Sequence, residues 1–251
     1  MSPCTFAPRR CKGMGYLLMA LLGLGLAPLC LWVLNKMPDR AFCDYDETPG
    51  AECASPRFFP GRHGIPLGLF LALCGALLFG RYGWHPVLVP LLLLTACLGM
   101  IALSDLKFAI IPDELLIFGG ICGFFVALHN AIGSQLLWGW ILPFLGAPLG
   151  AGLVLLLNLL GRLLYKRDAV GMGDLKLLAV CGLALGPGGI VIGGLLGVLS
   201  AGVVFAILML TKKMKPDQYY PFGPWLVLGT MLTLCFRSGI DRLVAWYLSL
   251  L

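Results

Sequence analysis

The chain has 251 residues, 59% of them hydrophobic and 12% charged, with a mean hydropathy of +0.93. Soluble domains carry about 25% charged residues, so there is too little polar side chain here to coat a soluble globule, and the composition predicts an all-α, polytopic membrane protein. The net charge of +6 is not a nucleic-acid signal, because the bases fall in short groups between apolar runs, where they orient helices.

In chain order, Arg9, Arg10 and Lys12 precede an apolar run over 15–34 that is long enough to span a bilayer. No convincing small-residue cleavage site follows, so an uncleaved first span is expected. Residues 35–64 form the one long polar segment, broken by Pro38, Pro49, Pro56 and Pro60, and read as a short loop or small subdomain. Apolar runs over 65–80 and 86–103 give the second and third spans. A fourth covers 114–132, with Pro112 and Asp113 where a proline and a capping acid belong. The fifth, 136–160, contains Pro143 and Pro148 and should be kinked.

The sixth run, 175–185, has only eleven residues. It is too short to cross alone, and Gly186-Pro187-Gly188-Gly189 ends it. Such a helix, anchored on the far side, would hold its first residues below the headgroups. The seventh run, 190–210, carries Gly193, Gly197 and Ala201 at four-residue spacing, which permits close helix contact. An eighth covers about 225–236, and the short tail 239–251 either lies at the interface or crosses. The expectation is about eight transmembrane helices in three segments: an N-terminal span (1–34), a short loop (35–64) and a membrane domain (65–251).

With eight spans, twelve of the eighteen Lys and Arg residues fall on the side that holds the 35–64 loop. That side is therefore expected to be cytoplasmic. The ten cysteines include no CxxC pair, which gives a thiolate zinc site no support. Cys43 and Cys53 either pair, bind a metal with outside ligands, or stay reduced, and a cytoplasmic loop favours reduced thiols. His63, His85 and His129 fall near the surface or interface without forming a joint metal site.

Two carboxylates stand out. Asp174 follows Gly171 and Gly173 in AVGMGDLK, where a long apolar run begins, and Asp105 lies where the third span gives way to SDLKFAIIPDELL. Acids at membrane-helix ends are costly unless they have work to do. Two spans separate them, so both are expected on one membrane face. A close acid pair in a poorly hydrated site shares one proton. Its ionised member can deprotonate water while the other protonates a peptide carbonyl, and this needs neither metal nor organic cofactor. Bare backbone at GMG could pair with an extended substrate. The plainer alternative is that both are helix-end charges beside Lys107 and Lys176. Asp113 and Asp168 are assigned to capping.

Four stretches resemble the type IV prepilin peptidases, membrane aspartic proteases of the GxGD type. They are LNKMPDR after the first span, SDLKFAIIPDEL, DAVGMGDLKLLA and YPFGPWLVLG. The resemblance implies that Asp105 and Asp174 are the catalytic pair. It implies that Gly171 and Gly173 shape the site, that Pro221, Phe222, Gly223 and Pro224 pack beside it, and that Lys176 steers an acidic substrate group. It further implies removal of basic leaders from prepilins or type II secretion pseudopilins, at the cytoplasmic face of a bacterial inner membrane. Many members carry two CxxC pairs in the first loop, linked to N-methylation with S-adenosylmethionine. Here that loop is short and lacks them, so methylation is doubtful and S-adenosylmethionine is expected only if that activity is kept. The competing class is a non-enzymatic transporter or assembly scaffold, with intramembrane acids that carry protons.

Overall fold

A computed structural model describes residues 9–43, 55–133, 137–166, 170–212 and 220–249. Cys4, Cys53, Asp168, Lys213 and Lys215 lie outside these residues, and with them the choice between paired and reduced Cys43 and Cys53 and the Asp168 cap. The described residues form helices without strands: α1 (Arg9–Lys36), α2 (Ile65–Tyr82), α3 (Leu88–Phe108), α4 (Asp113–Ile132), α5 (Leu137–Ile141), α6 (Gly146–Tyr165), α7 (Met172–Leu210) and α8 (Gly223–Leu248). Among them, six helical stretches are long and apolar enough to cross a membrane. Large apolar side chains such as Leu21, Leu69, Phe125, Leu156 and Leu199 lie exposed along them. In a soluble protein such a surface would be an aggregation hazard; here lipid covers it.

The chain forms two compact units, Met1–Phe125 and Val126–Leu251. In the first, glycines let α1 and α2 meet backbone to backbone. A Cβ on Gly23 would fall on the Leu71–Ala72 backbone, and one on Gly68 would touch Leu24 and Ala27. These contacts, with Gly15 against Phe79, set the helices antiparallel. The third helix is the most enclosed: Leu91, Leu94, Leu98 and Ile101 have 0% exposure. An apolar helix without a polar stripe is what a central position requires.

The polar loop is docked onto the C-terminal end of α1 by two side chains. The Asn35 amide donates to the Phe58 carbonyl and accepts from the Arg57 and Phe58 N–H groups, all at 2.9 Å. Arg57, only 1% exposed, donates to the carbonyls of Leu34 (3.2 Å) and Met37 (3.0 Å) and pairs with Asp39. Its guanidinium lies 4.4 Å from the Phe42 ring centroid. Counted from sequence as an orienting loop charge, Arg57 is instead a buried cap on the orphan carbonyls that end a helix.

In the second unit α7 is not one rod. Gly186 has φ 69° and ψ 178°, and Pro187 follows it. Only glycine adopts that conformation readily. Across the break Leu178 comes within 3.6 Å, and Leu185 within 3.1 Å, of where Cβ atoms on Gly194 and Gly193 would stand. Residues 178 and 194 would be about 24 Å apart on a straight helix, so the chain folds back into a hairpin. The sixth and seventh expected runs are thus separate antiparallel segments, 172–185 and 187–210. α8 holds the eighth expected run and continues through a bend at Phe236 to Leu248, so part of the tail is helical. The fifth run is broken as Pro143 predicts, into α5, a 3-10 turn at Leu142–Leu145, and α6.

Segment 172–185 is the hub of this unit. α6 runs antiparallel to it through Gly146 against Gly182 and Gly150 against the Leu178 carbonyl. α8 runs parallel to it, tied by a Cys181–Thr230 hydrogen bond and by Arg237 donating to the Leu185 carbonyl at 2.9 Å. On its other face α8 packs against 187–210, where Gly229 meets Gly193 and Gly197. The small-residue spacing read from the sequence is therefore a helix contact. Leu177 and Cys181, at 0% exposure, face partners on every side, which accounts for the uninterrupted apolar run.

Candidate functional site

Asp174 is the third residue of the hub segment. Gly171 precedes the helix in an extended conformation (φ −69°, ψ 158°), and its carbonyl accepts the first helical bond, from Leu175 at 3.4 Å. Met172 and Gly173 already belong to the helix. The bare extended edge expected from GMG is thereby reduced to Val170 and Gly171. Val170 is also engaged, since its N–H donates to the Asn158 side-chain oxygen (2.8 Å) and its carbonyl accepts from the Asn158 amide nitrogen (2.9 Å).

Asp174 is 4% exposed, and the register of the unit shows how deep it lies. The hairpin places it level with about residue 198. Segment 187–210 therefore runs roughly 18 Å beyond it, and α6 runs beyond it by a similar length. The α8 register, read from Thr230 and Arg237, brings 223–226 to the same level. Pro221, Phe222, Gly223 and Pro224 thus start α8 at the height where Asp174 starts its own helix. Gly223 is buried, the other three are half-buried, and the Phe222 carbonyl accepts from Trp225 at 3.1 Å. Lys176 is exposed.

Asp105 belongs to the first unit, also 4% exposed, in the last turn of α3. The turn closes through Ala109 donating to the Asp105 carbonyl (2.8 Å), with Ala109 in the left-handed region at φ 54°. Buried Ser104 donates to the Ile110 carbonyl at 2.8 Å and fixes the chain beyond. Lys107 donates to the Arg57 carbonyl and lies over the Phe58 and Phe108 rings, which ties this turn to the docked loop. The helix dipole sorts the acids. Asp113 and Glu114 occupy the first turn of α4, where a carboxylate is stabilising, whereas Asp105 meets the negative end of its helix. Helix stability does not explain Asp105.

Sequence reasoning missed Asn158, Asn35 and Arg57. The available signal for Asn158 was a lone amide inside an otherwise apolar span, which in lipid needs hydrogen-bond partners. The histidines behave as expected of surface positions; His63 is half-buried and accepts the Phe59 N–H.

Lipid-length apolar helices carrying buried acids at helix ends define a polytopic membrane protein with ionisable groups held in its interior. Residues 92–210 match the model of the type IV leader peptidase family. Both Asp105 and Asp174 fall inside the match. Among similar proteins, the prepilin leader peptidase/N-methyltransferase of Bacillus subtilis (strain 168) is 28% identical over 68% of this chain and 63% of its own length. Those of Aeromonas salmonicida (strain A449) and Neisseria gonorrhoeae are 33% and 30% identical, over 66% and 71% of this chain and 54% and 61% of theirs. The chain thus spans little more than half the length of these relatives. No solved structure matches it significantly.

Proposed function

We propose that this chain is a membrane aspartic endopeptidase that removes the basic leader from prepilins or type II secretion pseudopilins, with Asp105 and Asp174 as its catalytic acids. One observation carries the reading: two carboxylates, each 4% exposed at a helix end, both fall in the family-matched segment. Relatives named as leader peptidases favour it over a transporter or scaffold.

In this reading the two acids share one proton. The ionised carboxylate takes a proton from water, the resulting hydroxide oxygen bonds to the scissile carbonyl carbon, and the protonated acid donates to the carbonyl oxygen. Collapse of the tetrahedral intermediate breaks the C–N bond as the amine leaves with a proton. The recessed start of segment 172–185 supports chemistry below the headgroups, where water is scarce and a shared proton is favoured. Gly171 and Gly173 shape the approach, the Pro221–Pro224 stretch flanks Asp174, and Lys176 meets an acidic substrate group. The charge asymmetry supports a site opening toward the cytoplasm of a bacterial inner membrane. No cofactor is assigned to the peptidase. Methylation with S-adenosylmethionine is not assigned, because the 35–64 loop lacks the two CxxC pairs.

The test is co-expression with a prepilin, reading leader removal on a gel and the new terminus by mass spectrometry. Asp105→Asn and Asp174→Asn should each abolish cleavage while inserting normally, and Asp113→Asn should retain it. Cleavage by either catalytic variant would overturn the assignment, and a methylated terminus made by this protein alone would overturn the restriction to peptidase activity.

A further inference from the structure

The Asn158 side chain, buried in α6 with 7% exposure, closes two hydrogen bonds on one residue, Val170, taking its N–H at 2.8 Å and serving its carbonyl at 2.9 Å. Val170 immediately precedes Gly171, and Asp174 follows three residues later. We infer that Asn158 is a positioning residue for Asp174: it fixes the chain upstream of the glycine so that the start of the hub helix has one setting. The inference rests on the proposed peptidase reading.

The physical case begins with Gly171. Its φ and ψ are open to any residue, but without a Cβ the joint is soft, and the helix it introduces could pivot about it. Downstream, segment 172–185 is held by backbone-close contacts of Gly182 with Gly146 and of Leu178 with Gly150. Upstream, Val170 lies beside α6 at the level of Asn158. The Asn158 amide grips Val170 with the two-point geometry of a strand pair. A polar side chain in a lipid-length helix is costly unless it is used, and both ends of this amide are used on a backbone next to the acid. A misplacement of about 1 Å can cost roughly 100-fold in rate, so a slack joint here would be expressed in turnover.

Aspartate at 158 makes the grip titratable. Protonated, it donates O–H to the Val170 carbonyl and accepts the Val170 N–H, as the amide does. Ionised, it only accepts, and it sets a negative oxygen against the carbonyl. The basic side chains on α6, at its C-cap and on the start of α7 are Arg162, Lys166 and Lys176. Asp174 is common to wild type and variant, so the readout is the variant-to-wild-type ratio at each pH. In purified full-length protein cleaving a prepilin, Asn158→Asp should lie within about 3-fold of wild type at pH 5.5 and fall at least 10-fold below it by pH 8.5, on a kcat effect with KM little changed. Asn158→Leu should be low at every pH. A flat ratio for Asn158→Asp, or full activity in Asn158→Leu, would overturn the inference.

The pH trend of Asn158→Asp is read within one folded preparation and then set against the wild-type trend, so a poor yield of the leucine variant does not blunt the test. Amide exchange at Val170, read by mass spectrometry, should be faster in Asn158→Leu whatever the enzyme activity, and unchanged exchange would overturn the clamp itself. If wild-type protein cleaves and Asp174→Asn does not, the peptidase reading stands independently of the result at Asn158.

Discussion

Replacing Arg57 by methionine isolates the buried cap on α1. Methionine retains most of the apolar stem but removes both donors to the Leu34 and Met37 carbonyls, the Asp39 pair and the charge over Phe42. The Leu34 carbonyl is shut away from water, since Leu34 has 0% exposure. Orphaning a buried carbonyl costs about 1–3 kcal/mol, and a cation lost from a helix C-terminus adds roughly 0.3–2 kcal/mol. Regained apolar packing offsets part of this. A net loss of about 3 kcal/mol lowers the melting temperature by roughly 6–12 °C in a chain of this size. Thermal denaturation of detergent-purified protein reads it against two controls. Asp39→Asn should cost under about 1 kcal/mol, because the amide oxygen can still accept from Arg57 and the side chain at 39 is exposed. Arg57→Lys should fall between, since a point charge cannot serve two carbonyls in a fixed fork. An Arg57→Met protein melting within about 2 °C of wild type, or an Asp39→Asn protein losing as much as Arg57→Met, would refute the capping role.

Gly229→Ala should destabilise the second unit by about 1–3 kcal/mol or more, because its Cβ would strike the Gly193 carbonyl. Gly202→Ala, on an open face of segment 187–210 in the same unit, should stabilise by about 0.5–1 kcal/mol; thermal melts of the two compare them directly. Ala109→Gly should raise stability by about 1 kcal/mol by relieving the left-handed backbone after Asp105, with cleavage retained. Arg237→Met removes the donor to the Leu185 carbonyl at the hairpin break and should cost about 1–3 kcal/mol. A melt indistinguishable from wild type would deny that this contact holds the turn.

The order and rough length of the helices were legible because lipid imposes a strong pattern. Apolar runs must reach a set length, prolines break them where Pro143 does, and Gly186-Pro187 cannot continue a helix. The small-residue stripe at Gly193 and Gly197 was legible for a related reason, since only missing side chains let backbones touch. The two acids stood out because charge is rare in such a sequence. What composition and spacing could not supply was the partner of each polar group. Arg57 in a loop and Arg57 buried under a helix end have the same neighbours in the chain, and only folding brings the Leu34 and Met37 carbonyls to it. Asn158 likewise acquires its role from the antiparallel register that sets α6 beside Val170. The depth of Asp174 follows from which helices overshoot it, a matter of packing geometry that no local run of residues encodes.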